Sequence, residues 1–197
     1  MRTSLLALAP LALAATAGAQ TTIRQWFGPS SQAGFGGALA SVGDIDSDGV
    51  RELMIGAPSY YPVGPQVVGE PNHRGLVSVY SSASGKTLLR FVGQLKDPNA
   101  GHAVAAAGDL ERDGIPDLLY SGVGSCCYPS SVRARSGATG EMLLHLPGTL
   151  PFQKDLGHAL VGGIDVDLDG VDDLLYTTVI GATLFATRVR PARRSTP

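Results

Sequence analysis

Short apolar runs separated by stretches rich in Gly, Pro and Asp recur along this chain, and the pattern predicts strands, not helices. Leu53-Met54-Ile55, Leu118-Leu119-Tyr120 and Leu174-Leu175-Tyr176 each follow an acidic segment at one fixed distance. Ahead of each acidic segment stands another apolar run, Ala103 to Ala107 in the middle case. A further strand is predicted over Leu76-Val77-Ser78-Val79-Tyr80, matched more polarly by Ser131-Val132-Arg133-Ala134-Arg135. The imperfect alternation in these runs is expected of strands covered on both faces. Ser84-Gly85-Lys86 and Gly137-Ala138-Thr139-Gly140 read as tight turns into the next strand.

The runs repeat with a period near 60. Ile23-Arg24-Gln25-Trp26-Phe27-Gly28 and Leu88-Leu89-Arg90-Phe91-Val92-Gly93 each begin 21 residues before an acidic segment. Leu143-Leu144-His145-Leu146-Pro147-Gly148 begins 22 residues before the third. Between run and acidic segment lie Gly34-Phe35-Gly36-Gly37-Ala38, Gly101-His102-Ala103-Val104 and Gly157-His158-Ala159-Leu160. Each period reads as about four antiparallel strands, and a lone sheet of that size cannot bury both faces, so consecutive units must stack. The expectation is an all-β chain of β-propeller-type blades, about two and a half of them, a partial propeller. The blade-like repeats fall around 22–85, 86–140 and 141–189 within a region 20–189, and Ile23–Phe27 reads as an outer strand placed ahead of its first loop. Chains that open this way can complete a last blade, so a ring closed between molecules, a truncated product and a partial propeller all remain open.

The acidic segments carry the chemistry. In Asp44-Ile45-Asp46-Ser47-Asp48-Gly49-Val50-Arg51-Glu52, carboxylates occupy positions 1, 3, 5 and 9, with glycine at 6 and an apolar residue at 7. Asp109, Glu111, Asp113 and Asp117 repeat the pattern with Gly114 and Ile115, and Asp165, Asp167, Asp169 and Asp173 repeat it with Gly170 and Val171. Twelve of the 17 acidic residues stand at these positions. Four carboxylates in so short a turn repel one another unless a cation sits among them. Hard cations such as Ca²⁺ take about six to eight oxygens at roughly 2.3–2.6 Å, which such a loop can supply. An EF-hand is excluded, because it needs a Glu at position 12 and flanking helices, and position 12 here is Ile55, Tyr120 or Tyr176 inside an apolar run. The second loop, with the longer Glu111 and with Pro116 at position 8, is expected to bind most weakly. Ile164 precedes the third loop where the other two have a glycine.

These residues resemble the FG-GAP repeat family, the blades of integrin α-subunit propellers and of many secreted bacterial proteins. Phe35-Gly36, the loop Asp44 to Glu52 and Gly56-Ala57-Pro58 match its pattern in the first repeat; the second has His102 and Ser121-Gly122-Val123, and the third His158 and Thr177-Thr178-Val179. The resemblance covers roughly residues 22 to 189. It implies a calcium-stabilised propeller, usually of seven blades, used in extracellular recognition. It also implies that positions 1, 3, 5 and 9 give side-chain oxygens to Ca²⁺ while Val50, Ile115 and Val171 give backbone carbonyls.

Composition narrows the function. A net charge of −2 argues against a nucleic-acid surface, and 44% apolar but only 6% aromatic residues, with 26 glycines and 13 prolines, suit strands and turns. Residues 1–19 read as a signal peptide: Arg2, an apolar run from Leu5 to Ala15, then Ala17-Gly18-Ala19, with a mature start near Gln20. The run is short of the ~20 residues a spanning helix needs, so export and no membrane span are expected. Cys126 and Cys127 are adjacent and cannot staple distant segments; a vicinal disulfide and two free thiols are both open. No His spacing for a metal, no nucleophile elbow and no phosphate cradle occurs, so a non-enzymatic protein is expected. Ser59 to Arg74 and Val123 to Pro129 would present loops to a protein or glycan, and self-association would complete the propeller. The alternative is the non-catalytic repeat portion of a secreted hydrolase. Residues 190–197 read as a disordered basic tail.

Overall fold

The computed structural model describes residues 22–62, 74–94, 99–124, 129–148, 156–178 and 183–188. The expected signal peptide, the tail, Cys126, Cys127 and most of the two candidate binding loops lie outside these residues. The described residues contain eleven strands and no helix. They are β1 (Ala38–Ser41), β2 (Leu53–Ala57), β3 (Leu76–Tyr80), β4 (Thr87–Val92), β5 (Ala100–Gly108), β6 (Asp117–Gly122), β7 (Ser131–Arg135), β8 (Met142–Pro147), β9 (Leu156–Ile164), β10 (Asp173–Thr178) and β11 (Thr183–Arg188). No helix among these residues is long and apolar enough to cross a membrane.

Three antiparallel sheets follow one another along the chain. Sheet 1 runs β1-β2-β3-β4, sheet 2 runs β5-β6-β7-β8, and sheet 3 runs β9-β10-β11. This is the expected all-β arrangement of propeller-type blades. Sequence period and sheet are offset by one strand, however. Thr87–Val92 opens the second period but pairs with β3, Val77 opposite Phe91, because Ser81 and Lys86 close a tight hairpin between them. The sheet boundaries therefore fall before Ala100 and Leu156, not at 86 and 141. Ile23–Phe27, read as a strand from its apolar pattern, joins no sheet among the described residues. A ladder needs a neighbour, and none of the sheets offers that segment one.

The core lies between sheets. Met54, Val77 and Val79 of sheet 1 meet Leu118 and Tyr120 of sheet 2, with Val42 and Ile45 at the loop end. Leu119, Val132 and Ala134 of sheet 2 meet Leu174 of sheet 3. Adjacent residues of β6 thus point into opposite cores, and all six residues of the strand are buried. That is why its apolar run does not alternate. Each fully buried Leu or Val contributes about 1.5–3 kcal/mol of transfer free energy.

The sheets approach closely at their glycines. A Cβ on Gly56 would fall inside the Gly101 carbonyl, and one on Gly101, at φ +87°, would lie 2.7 Å from the Leu76 carbonyl oxygen. The next junction solves the same contact differently. Ser121 stands in the place of Gly56 and donates its hydroxyl to the Gly157 carbonyl at 2.7 Å, while accepting the Ala103 N–H at 3.2 Å. Thr177 accepts the Ala159 N–H in the corresponding place at 3.1 Å. The departure from Gly-Ala-Pro in the second repeat is thus a polar replacement for a bare backbone approach, while Thr177 in the third bonds within its own sheet.

Candidate metal centre

Each acidic loop is shaped by its own carboxylates before any ion is considered. In the first, Asp44 accepts the Asp48 N–H at 3.0 Å and the Gly49 N–H at 2.9 Å, and Asp48 accepts the Val50 N–H at 2.9 Å. The second repeats this through Asp109 and Asp113, with N–H donors on Asp113, Gly114 and Ile115. The third does so through Asp165 and Asp169, with donors on Asp169, Gly170 and Val171. Gly49, Gly114 and Gly170 have φ of 85°, 85° and 82°, a region in which a side chain is strained. Position 4 also adopts a left-handed turn, at Ser47, Arg112 and Leu168, with φ of 60°, 58° and 61°. No residue preference announces that position.

The position-9 carboxylates are the buried ones: Glu52, Asp117 and Asp173 are 1%, 0% and 3% exposed. Each clamps its loop by accepting the N–H of position 2. The donors are Ile45 to Glu52 Oε2 at 2.6 Å, Leu110 to Asp117 Oδ2 at 2.8 Å, and Val166 to Asp173 Oδ2 at 2.9 Å. The remaining oxygen separates the three. Asp117 Oδ1 accepts the Gly137 N–H at 2.9 Å, so that carboxylate is satisfied by backbone alone. Glu52 Oε1 and Asp173 Oδ1 are buried with no hydrogen-bond donor among the described residues. An unsatisfied buried acceptor costs about 1–3 kcal/mol, more when charged. Burial raises the Glu52 pKa, and the charges of Asp46, Asp44 and Asp48 push it the same way. Burial likewise pushes Asp117 up to about 6, against the two N–H bonds that hold it down.

Asp44, Asp46, Asp48 and Glu52 bring one oxygen each within 4.8 Å of one another, as do Asp165, Asp167 and Asp173. These two groups could hold a metal ion. Among the described residues they are the acidic groups that converge this way; Asp109, Glu111, Asp113 and Asp117 do not form a third. Asp169 stands outside its group, and Arg188 of β11 pairs with Asp167 and lies 3.2 Å from Asp169 Oδ2. Val50 is exposed, Ile115 half-buried and Val171 buried, so the position-7 residues differ in packing.

Consecutive loops also pack on one another. A Cβ on Gly43 would collide with Pro116, and one on Gly108 with the Asp172 carboxylate, which accepts the Asp109 N–H at 3.2 Å. The glycine ahead of loops 1 and 2 thus makes room for position 8 of the following loop. Ile164, at the same place ahead of loop 3, is 46% exposed. Its side chain is tolerated because no further loop packs there among the described residues.

His102 and His158 meet edge to face between sheets 2 and 3, with ring centroids 4.9 Å apart. Equivalent positions of consecutive repeats thus pack directly on each other. Burial, then the neighbouring His158, lowers the His102 pKa from 6.5. The unfolded chain therefore binds the proton more readily between the depressed value and about 6.5, and stability is lost as pH falls through that window. Asp117, titrating near 6 in the opposite sense, partly masks this, so the readout is a difference between proteins. His102→Phe, which restores the residue type of Phe35, is expected to lose less stability than the parent between pH ~7 and ~5.5. Parallel denaturant titrations check this, and identical pH slopes would refute it.

The FG-GAP repeat family model matches residues 35–80. The integrin alpha-7 of Rattus norvegicus is 33% identical over 169 residues, covering 80% of this chain and 14% of the relative. That of Homo sapiens is 32% identical over 169 residues, covering 80% and 13%. This chain thus spans about one seventh of the length of those relatives. Among solved structures, the rhamnogalacturonan lyase YesW is similar at 18% identity and a TM-score of 0.43, over 70% of this chain and 29% of that one.

Proposed function

We propose, on the premise that this chain is an FG-GAP repeat protein related to the integrin alpha subunits, that it is a secreted, non-catalytic recognition module held in shape by Ca²⁺. The ions sit in the first and third acidic loops. Asp44, Asp46, Asp48 and Glu52 hold one, with the Val50 carbonyl. Asp165, Asp167 and Asp173 hold the other, with the Val171 carbonyl, and Asp169 joins once Arg188 releases it. Calcium suits this donor set because it is all oxygen and mostly carboxylate. The calcium is structural: it joins the strand entering each loop to the strand leaving it. The segments 59–74 and 123–129, which connect β2 to β3 and β6 to β7 within single sheets, then meet a protein or glycan partner outside the cell.

One observation carries the reading. Glu52 Oε1 and Asp173 Oδ1 are buried without a donor among the described residues, each within or beside a convergent acidic group. A cation supplies what they lack. The second loop, whose Asp117 is already satisfied by Leu110 and Gly137, binds weakest, and Asp109, Glu111, Asp113, Asp117 and the Ile115 carbonyl make up that weaker site. Calorimetric titration of the chelator-stripped protein is expected to give two tight Ca²⁺ sites. Glu52→Gln and Asp173→Asn should each remove one, and Asp117→Asn neither. Three equal sites would refute the ranking of the loops, and no binding at all would refute the calcium reading.

A further inference from the structure

Sheet 2 carries charge on a face where sheet 1 carries none. Side chains alternate along a strand, so Arg133 and Arg135 of β7 share one face. That face meets sheet 1: the Arg135 guanidinium lies 4.6 Å from the Phe91 ring of β4, and Phe91 stacks on Tyr120. Register sets Tyr120, Arg133 and His145 side by side across β6, β7 and β8, with the Arg133 guanidinium 5.7 Å from the Tyr120 ring. At the equivalent places of β3 stand Ser78 and Tyr80, opposite Ile55 and Leu53. Packing of a blade on its neighbour therefore does not by itself call for two guanidinium groups here.

The two arginines border a cavity of about 100 Å³ between the end of β4 and sheet 2, lined also by Gln94, Tyr120, Met142 and His145. That is room for a group of several heavy atoms. Among the described residues, no Asp or Glu borders it. Arg133 is 4% exposed, and burial, then the charge of Arg135, lowers its pKa to about 10, so it is still a cation at neutral pH. Arg135 is held by neutral groups. Its Nε donates to the Tyr120 hydroxyl at 3.0 Å and its Nη1 to the Gly140 carbonyl at 2.7 Å, which leaves Nη2 with no acceptor among the described residues. Partial burial, then the Arg133 charge, lowers the His145 pKa, so that imidazole is neutral at pH 7. Two cations drawn partly out of water and set beside each other are costly, and an anion between them offsets both the desolvation and the repulsion.

We propose that this cavity binds a small organic acid through its carboxylate. Arg133 and Arg135 supply the charge and charge-assisted N–H bonds to the carboxylate oxygens. Gln94 and His145, both exposed, stand at the mouth and add neutral polar groups that orient the ligand. Met142, 42% exposed, and the Tyr120 ring give the cavity an apolar wall. A few placed polar groups on an apolar wall suit an acid with a carbon body, whereas inorganic phosphate is polar all round. The inference rests neither on calcium nor on the recognition reading.

The test is a titration of the calcium-loaded protein with sodium acetate, sodium butyrate and sodium phosphate at constant ionic strength, followed by amide NMR shifts. Butyrate is expected to move the amides of Gly93, Tyr120 and Arg133 with a Kd of about 1 mM or below. Acetate, with two fewer CH₂ groups to bury, should bind about tenfold more weakly, and phosphate more weakly than butyrate. Arg133→Met should abolish binding. Because that residue is buried, Arg135→Gln serves as the second variant: it should keep the sheet signal by circular dichroism and weaken butyrate at least about tenfold. Met142→Ser should leave acetate binding unchanged and narrow the gap between acetate and butyrate. No shift at the three amides, butyrate affinity unchanged in a folded Arg135→Gln protein, or phosphate binding as tightly as butyrate would each overturn the proposal.

Discussion

Stripping calcium is expected to lower the melting temperature of this protein by roughly 10–20 °C. An ion that binds only the folded state adds about 2.7 kcal/mol per site at a hundredfold excess over Kd. Two such sites make about 5 kcal/mol, and a domain of this size shifts about 2–4 °C per kcal/mol. Glu52 is the side chain through which most of the first loop's share passes. One oxygen holds the Ile45 N–H at 2.6 Å and the other is buried without a donor among the described residues. Glu52→Gln keeps the volume and one acceptor but lowers the charge, so it should lose about half of the chelator-sensitive shift. In calcium it should melt about midway between the calcium-loaded and the chelated parent. Thermal scans of parent and variant, with and without chelator, decide the matter. If the parent melts at the same temperature in both, the buried oxygens have some other neutralising partner, and the loops are acidic turns and no more.

The three loops were legible from the chain because a calcium-type loop is a local object. Its carboxylates, its glycine and the following apolar run lie within one stretch of backbone. The all-β fold was legible for a similar reason: runs such as Leu118-Leu119-Tyr120 are too short for helices and too apolar for surface strands. What escaped sequence reading depends on neighbours distant along the chain. The Gly137 N–H, 20 residues beyond Asp117, distinguishes the second loop from the others. Pro116 alone does not, though it marks the same loop. The glycine ahead of loops 1 and 2 looked like part of the loop, yet it is emptied for Pro116 and Asp172 of the next repeat. Nothing in the sequence ties Arg188, just ahead of the expected basic tail, to the third loop, yet it is the partner of Asp167. The strand offset escaped because a repeat in sequence has no marked beginning; only the hairpin from Tyr80 to Thr87 shows which sheet β4 joins.

The Ser121 replacement shows that the inner junction between sheets is under steric control, and Gly56→Ala tests that control directly. A methyl at residue 56 would enter the Gly101 carbonyl, and that backbone cannot retreat freely. Gly101 sits at φ +87°, and its own Cβ position is walled by the Leu76 carbonyl oxygen at 2.7 Å and Gly56 Cα at 2.9 Å. Sheets 1 and 2 would have to separate at their inner edge, loosening Ala100 and Leu76, which are 1% and 2% exposed. Overpacking of this kind costs about 1–3 kcal/mol, and the backbone on both sides of the contact places Gly56→Ala near about 3. The expected result is a melting temperature roughly 6–12 °C below the parent, with the denaturant m-value unchanged. Ser121→Ala provides the contrast. It leaves the Gly157 carbonyl and Ala103 N–H without their shared hydroxyl but collides with nothing, so about 1–2 kcal/mol is expected. Calcium stoichiometry should be the same in both variants, because the loops lie at the other ends of β2 and β6. A Gly56→Ala protein as stable as its parent would mean that the sheets slide past one another at this edge, and the close glycine approach would not be what sets their spacing.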